Sequence, residues 1–153
     1  MTEMPNKNAH IAFGVFAGTV YSLIISMEQK PEHRFIEMIG AAIGGLLGCR
    51  FPDIAEPAYH PRHRKFAHSI AAGTMSVVSI KGISEAWVAY FRSAADKLAQ
   101  NRSFDCISES DRNLSIALEI LYRLAAGFVP GFIAGYISHL ILDAGSPRSL
   151  PII

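Results

Sequence analysis

The sequence has little of what small secreted proteins and strongly charged proteins depend on. Its 153 residues include only two cysteines and no Cys-x-x-Cys pair, which argues against a disulfide framework and against a thiolate zinc site. Charged residues make up 18%, against about 25% in an average soluble domain, and the formal net charge is only +1. Without a strong overall field, we expect no specific nucleic-acid binding. The length predicts a single domain, residues 1–153.

What the sequence has in abundance is apolar segments, and hydrophobic residues reach 50% of the total. Four segments are predicted to be helical: 9–27, 35–49, 66–80 and 124–142. The third is expected to continue amphipathically to about residue 91, and the fourth to begin near residue 113. Only the first and last approach the roughly 20 apolar residues that cross a bilayer. The polar stretch 93–112 predicts a solvated loop or a surface helix.

Glycines recur every four residues in three of these segments, which places them on one face of each helix. They are Gly14 and Gly18, then Gly40, Gly44 and Gly48, then Gly127, Gly131 and Gly135. In water a helical glycine costs about 1 kcal/mol relative to alanine, whereas in lipid such tracks let helices approach closely. We therefore predict an all-α, compact antiparallel bundle of about four main helices, embedded in or associated with a membrane. A tightly packed soluble helical core is the alternative.

Histidine and aspartate residues gather at one end of this predicted bundle. If consecutive helices alternate in direction, the start of the first, end of the second, start of the third and end of the fourth share a side. His139 and Asp143 are also four residues apart, so both project from one helix face. Imidazole and carboxylate groups both suit zinc and related divalent ions. The candidate metal ligands are His10, Asp53, His63, His68, His139 and Asp143.

Each of these residues has an ordinary explanation when it is taken alone. Most single histidines are not ligands, and Asp53 could cap a helix or pair with Arg50. His33, between Glu32 and Arg34, is expected to be a solvated loop residue. No comparable His/Asp set is predicted at the opposite end of the bundle. The prediction of a metal site therefore depends on several histidines and aspartates meeting at one end of the bundle, and not on any one of them.

Three ordered motifs resemble those of the YdjM-like family of small, membrane-associated, metal-dependent hydrolases. They are Cys49-Arg-Phe-Pro-Asp53, His63-Arg-Lys-Phe-Ala-His68 and Ser138-His139-Leu-Ile-Leu-Asp143. The resemblance extends from His10 to the C-terminus. This family is in turn distantly similar to the zinc-dependent phospholipase C and single-strand nuclease superfamily. Members of that superfamily are all-helical and hydrolyse phosphodiesters at a zinc cluster held by His and Asp.

The resemblance implies that the candidate ligands hold one or two divalent metal ions, most readily Zn²⁺, with His63 either a ligand or close beside one. Asp53 or Glu56 would then take a proton from water as general base, and Arg64 would stabilise charge on a phosphate. The chain departs from the family at Ala55, where many members have a second aspartate. A second metal ion would therefore lack its usual carboxylate.

These observations predict a membrane-associated hydrolase that cleaves a phosphoester, with a small phosphoester or a lipid as substrate and membrane lipid as partner. It is expected in the inner (cytoplasmic) membrane, integral or tightly associated. The alternative is a membrane-embedded adaptor or regulator with a structural metal site and a protein partner. A transport role ranks last, because the ionisable groups cluster at helix ends rather than helix middles.

Overall fold

The computed structural model describes residues 7–55, 80–102 and 108–144, and these are almost wholly helical, with no strand among them. The helices are α1 (Lys7–Ile25), α2 (Pro31–Gly48), α3 (Phe51–Ala55), α4 (Glu85–Asn101) and α5 (Glu109–Ala144), with a turn of π-helix at Ile80–Ser84 before α4. α1, α2 and α5 pack on one another, and α4 packs on α5. The prediction of an all-α bundle is confirmed.

The second helix is longer than its apolar run suggested. It begins at Pro31, because proline at the first helical position needs no hydrogen-bond partner for its nitrogen. Arg34 then donates to the carbonyls of Ser26 and Met27, just beyond the end of α1, and to that of Gln29. Together with α3, this helix makes a 25-residue apolar stretch, Pro31–Ala55.

Of the two forms expected for the polar stretch 93–112, a solvated loop or a surface helix, its described residues are mostly helical, whereas the predicted helix at 66–79 lies outside the described residues. α4 extends to Asn101, and α5 already begins at Glu109. Ser108 starts α5, since its Oγ accepts a hydrogen bond from the Asp111 backbone N–H at 3.1 Å and donates to the Asp111 carboxylate at 2.8 Å. The two helices flank a short connection, and α4 packs on the bundle instead of lying free in solvent.

Glycines of both helices make the contact between α2 and α5. Each glycine faces the backbone of the other helix so closely that a Cβ would overlap it. The pairs are Gly40 with Leu124, Gly44 with Phe128, Gly48 with Phe132, Gly127 with Glu37, Gly131 with Ala41 and Gly135 with Gly45. Gly18 of α1 meets the Ala41 carbonyl in the same way. The four-residue glycine spacing therefore lets the helix backbones touch, as small-residue tracks do in membranes.

The large apolar side chains lie on the outside of the helices. The exposed ones include Phe13, Phe16, Val20 and Ile24 on α1, Ile39, Ile43 and Leu47 on α2, and Ile120, Leu121 and Ile141 on α5. Within the described residues, three helices are long and apolar enough to cross a membrane. Glycine inside and isoleucine or phenylalanine outside is typical of a protein whose surrounding solvent is lipid.

We expect Gly44→Ala to lower the free energy of unfolding by about 2 kcal/mol, because a rigid backbone on both sides leaves no room for a methyl group. An ideal Cβ on Gly44 would lie 2.7 Å from the Phe132 nitrogen. The measurement is an unfolding transition in detergent micelles. Gly82→Ala is the matched control, since a Cβ there meets nothing within 4 Å. Equal stability of the two variants would show that α2 and α5 can move apart without cost.

Candidate metal centre

Three helix ends meet at one end of the bundle and bring four predicted ligands together. His10 lies in the first turn of α1, and Asp53 lies in α3, directly after α2. His139 and Asp143 lie in the last turns of α5, one turn apart. Because α1 starts where α2 and α5 end, residues separated by more than 130 positions become neighbours.

His10, His139 and Asp143 form the centre of this group. One potential ligand atom from each lies within 4.8 Å of the others. The rings of His10 and His139 have centroids 4.3 Å apart. His10 Nε2 lies 3.6 Å from Asp143 Oδ1, and His139 Nε2 lies 3.5 Å from Asp143 Oδ2. We call these three residues the buried triad.

The spacing of the buried triad suits a metal ion. A tetrahedral zinc ion with bonds of about 2.0–2.2 Å holds its ligand atoms about 3.3–3.6 Å apart. The separations of 3.6 and 3.5 Å fall near that range, although each involves a different oxygen of Asp143, and one ligand atom from each residue lies within 4.8 Å of the others. Direct hydrogen bonds between a charged imidazole and a carboxylate are shorter, about 2.7–2.9 Å. The three side chains thus lie close enough together to share one ion.

Burial and charge also favour a cation. His139 and Asp143 are only 1% and 3% exposed, and His10 is 9% exposed. Asp143 lies in the last turn of α5, where the helix dipole contributes further negative potential. A divalent cation between the three side chains would be attracted both by this carboxylate and by the helix dipole.

Asp53 sits differently from the buried triad. Its Oδ1 lies 3.8 Å from His139 Nε2, but its side chain is 64% exposed. It lines a pocket of about 110 Å³ together with His10, Cys49, Arg50 and Ile54. Asp53 is therefore at the solvent side of the centre, where a water molecule can reach both it and the triad.

Arg50 and Cys49 were not predicted as site residues, although both line this pocket. Cys49 is fully buried, and its Sγ lies 3.2 Å from the Leu46 carbonyl, which accepts its hydrogen bond. Arg50 was considered only as a partner for Asp53, yet it lines the pocket beside Asp53 and His10. Its place at the junction of α2 and α3, three residues before Asp53, is the signal that could have identified it.

Four of the predicted site residues, Glu56, His63, Arg64 and His68, lie outside the described residues.

The opposite end of the bundle carries a charged network that the sequence analysis missed. Arg92 on α4 donates to both carboxylate oxygens of Glu37 on α2, and Glu37 is 1% exposed. A second group joins α2, α4 and α5 through Glu119, which is paired with Arg102, Arg123 and His33. His33 Nε2 lies 3.4 Å from Glu119 Oε1 with its side chain 16% exposed, so the expectation of a solvated loop histidine is wrong.

The comparisons with known proteins support the motif resemblance. The family model for the YdjM inner membrane protein matches residues 4–153, which is nearly the whole chain. No curated protein and no solved structure matches the chain. The match covers the start of α1 and the end of α5, so it includes all three residues of the buried triad.

Proposed function

The chain belongs to the YdjM inner membrane protein family, and we propose that this member is a metal-dependent hydrolase of the inner membrane that cleaves a phosphoester bond. The observation that carries the proposal is the buried triad: two imidazoles and one carboxylate converge with ligand spacing. The pocket beside them supports catalysis over a purely structural metal, because catalytic metal sites keep an accessible position and structural sites are closed.

His10, His139 and Asp143 would hold the ion, for which zinc is the best match because its usual ligands are imidazole nitrogen, thiolate and carboxylate oxygen. When bound, a divalent ion activates water at neutral pH and polarises a phosphoryl oxygen. Asp143 would share the ion with both imidazoles, since its carboxylate oxygens lie 3.6 and 3.5 Å from the Nε2 atoms of His10 and His139. Proton transfer and stabilisation of the phosphate charge would be carried out by residues of the pocket.

Asp53 would act as the general base at the mouth of the centre. The oxygen of a water molecule forms a bond to phosphorus, its proton passes to Asp53, and the ester P–O bond breaks. The proton then leaves with the alcohol, so the carboxylate is restored. Arg50 would stabilise the charge that develops on the phosphoryl oxygens, because a guanidinium can contact two of them at once. Glu56 and Arg64 remain predicted contributors outside the described residues.

Metal content tests the first half of the proposal. We expect the purified wild-type protein to retain zinc after dialysis and His139→Gln to bind it at least about tenfold more weakly, since a direct ligand is lost. Elemental analysis and a competitive chelator titration measure this. The matched control is His33→Gln, the same substitution in the charged network at the other end, which should leave zinc binding unchanged.

Turnover tests the second half. Wild-type protein loaded with zinc should hydrolyse an activated phosphodiester or a phospholipid in mixed micelles, and His139→Gln should not. Zinc retention without turnover in the wild type would favour the structural-metal alternative. Absence of zinc from the wild type, or equal zinc in wild type and His139→Gln, would contradict the proposed function.

A further inference from the structure

A second cavity, almost wholly apolar, lies between α1 and α5. Its volume is about 430 Å³. α1 contributes Phe13, Phe16, Val20 and Ile24 to its walls, and α5 contributes Ile141 and Leu142. Phe13, Phe16 and Ile24 are 53–67% exposed, so the cavity is a groove that opens onto the lipid-facing surface. We call it the α1–α5 groove.

One end of the α1–α5 groove lies beside the metal centre. Ser138 and Leu142, both in its wall, are the sequence neighbours of His139 and Asp143 on the last turns of α5. On α1, Phe13 lies one turn beyond His10. The groove therefore runs from the buried triad along α1 toward the opposite end of the bundle.

The length of the groove matches one lipid leaflet. Phe13 and Ile24 are eleven residues apart on α1, which is about 16 Å along a helix that rises 1.5 Å per residue. One leaflet of a hydrocarbon core about 30 Å thick has a depth of about 15 Å. An extended acyl chain would thus fill the groove while its polar end remained at the level of the metal centre.

The chemistry of the walls favours a lipid chain over another helix. The helices α1, α2 and α5 meet at glycines, and the glycines of α1 already face α2: Gly14 lies against Cys49 and Gly18 against Ala41. The groove wall offers phenylalanine, valine and isoleucine instead. Such a wall keeps a second helix at a distance, whereas a thin, flexible hydrocarbon chain can enter it.

We propose that the α1–α5 groove binds one acyl chain of a membrane phospholipid and presents its phosphoester to the buried triad. The inference rests on the proposed function only for the chemistry at the phosphoester, since the groove can hold the chain with or without hydrolysis. It makes the substrate a membrane lipid rather than a water-soluble phosphoester.

Photo-cross-linking tests this binding directly. The full-length protein is placed in vesicles of phosphatidylethanolamine and phosphatidylglycerol doped with a phosphatidylglycerol that carries a diazirine on one acyl chain. After irradiation, labelled residues are identified by mass spectrometry. We expect label concentrated at residues 13–24 and 138–142, above that on the exposed residues Ile39, Ile43 and Leu47 of α2, which report ordinary boundary lipid.

Two alanines of α1 provide a matched pair of variants. Ala17 lines the groove, so Ala17→Trp should fill it and reduce groove labelling about tenfold, a ratio equivalent to about 1.4 kcal/mol. Ala12 is exposed on the same helix but is not part of the groove, so Ala12→Trp should leave the labelling unchanged. Equal loss of label in both variants would overturn the proposal.

The His139→Gln variant separates this inference from the proposed function. It should lose zinc and yet label the groove like the wild type. Labelling at the groove in a wild-type protein that binds no zinc would support the groove while contradicting the hydrolase. Uniform labelling over α1, α2 and α5, or no label at the groove because a second copy or another part of the chain covers it, would overturn the groove while leaving the zinc result intact.

Discussion

Asp53→Asn should keep its metal and lose its turnover, with a fall in kcat of about 10²–10⁴-fold, the usual contribution of a positioned general base. The expectation follows from the position of Asp53 relative to the buried triad. Its side chain is 64% exposed at the mouth of the pocket, and its Oδ1 lies 3.8 Å from His139 Nε2. Asparagine has nearly the same shape but cannot accept the proton of the attacking water.

The measurement pairs zinc content with phosphodiester turnover on the same preparation. Asp111→Asn is the control, because it makes the same substitution at an exposed position at the start of α5 and an asparagine can keep the local hydrogen bond to Ser108. A variant Asp53→Asn that retains full turnover would exclude Asp53 as the base. One that loses zinc as well would make Asp53 a ligand and not the base.

The helical architecture could be predicted because its causes are local. Uncharged runs of about nineteen residues predict helices, and glycines four residues apart predict a smooth face. The structure places those faces against each other, as at Gly44 and Phe128. The helix boundaries were less predictable. The helix that begins at Pro31 was expected to begin at residue 35, because the polar residues that precede an apolar run have the composition of a loop.

The site was predictable to the extent that it depends on topology. Alternating helix directions suffice to bring His10 near His139 and Asp143. The i, i+4 spacing on α5 places His139 and Asp143 on the same helix face. Arg50 was missed because its assignment depends on which way a side chain points at the α2–α3 junction. The hydrolytic activity and the zinc ion stay predictions, because the family match concerns a membrane protein family and names neither.

The charged network could not be predicted from the sequence, because its partners lie far apart along the chain. Glu37 is the one charge in an apolar run, and Arg92 lies 55 positions later on an amphipathic helix. Nothing in either local pattern indicates the other, because the pairing depends on the register of α2 against α4. Arg123 is similar: it is fully buried, and its partners Glu119 and Asp96 belong to two different helices.

Removing Arg92 should therefore be among the most destabilising single changes in the chain. In Arg92→Met, the Glu37 carboxylate, which is 1% exposed in the wild type, would lose its three hydrogen bonds from the guanidinium. Breaking one side of a buried ion pair costs about 3–5 kcal/mol, since the remaining charge is uncompensated. Arg92 also donates to the Ile25 carbonyl at the end of α1, so the variant would loosen three helices at once. The measurement is the unfolding transition in detergent micelles.

The double variant Arg92→Met/Glu37→Leu distinguishes an unpaired charge from lost packing. Because a buried ion pair replaced by apolar groups of similar size is often neutral, we expect the double variant to recover to within about 1 kcal/mol of the wild type. Lys97→Met, an exposed position on the same helix, should change stability by less than about 0.5 kcal/mol. A double variant as unstable as Arg92→Met would mean that the guanidinium acts through the Ile25 carbonyl and its own packing, and that Glu37 tolerates burial without it. Zinc binding should survive in all three variants, because the network and the buried triad lie at opposite ends of α5 and share no residue.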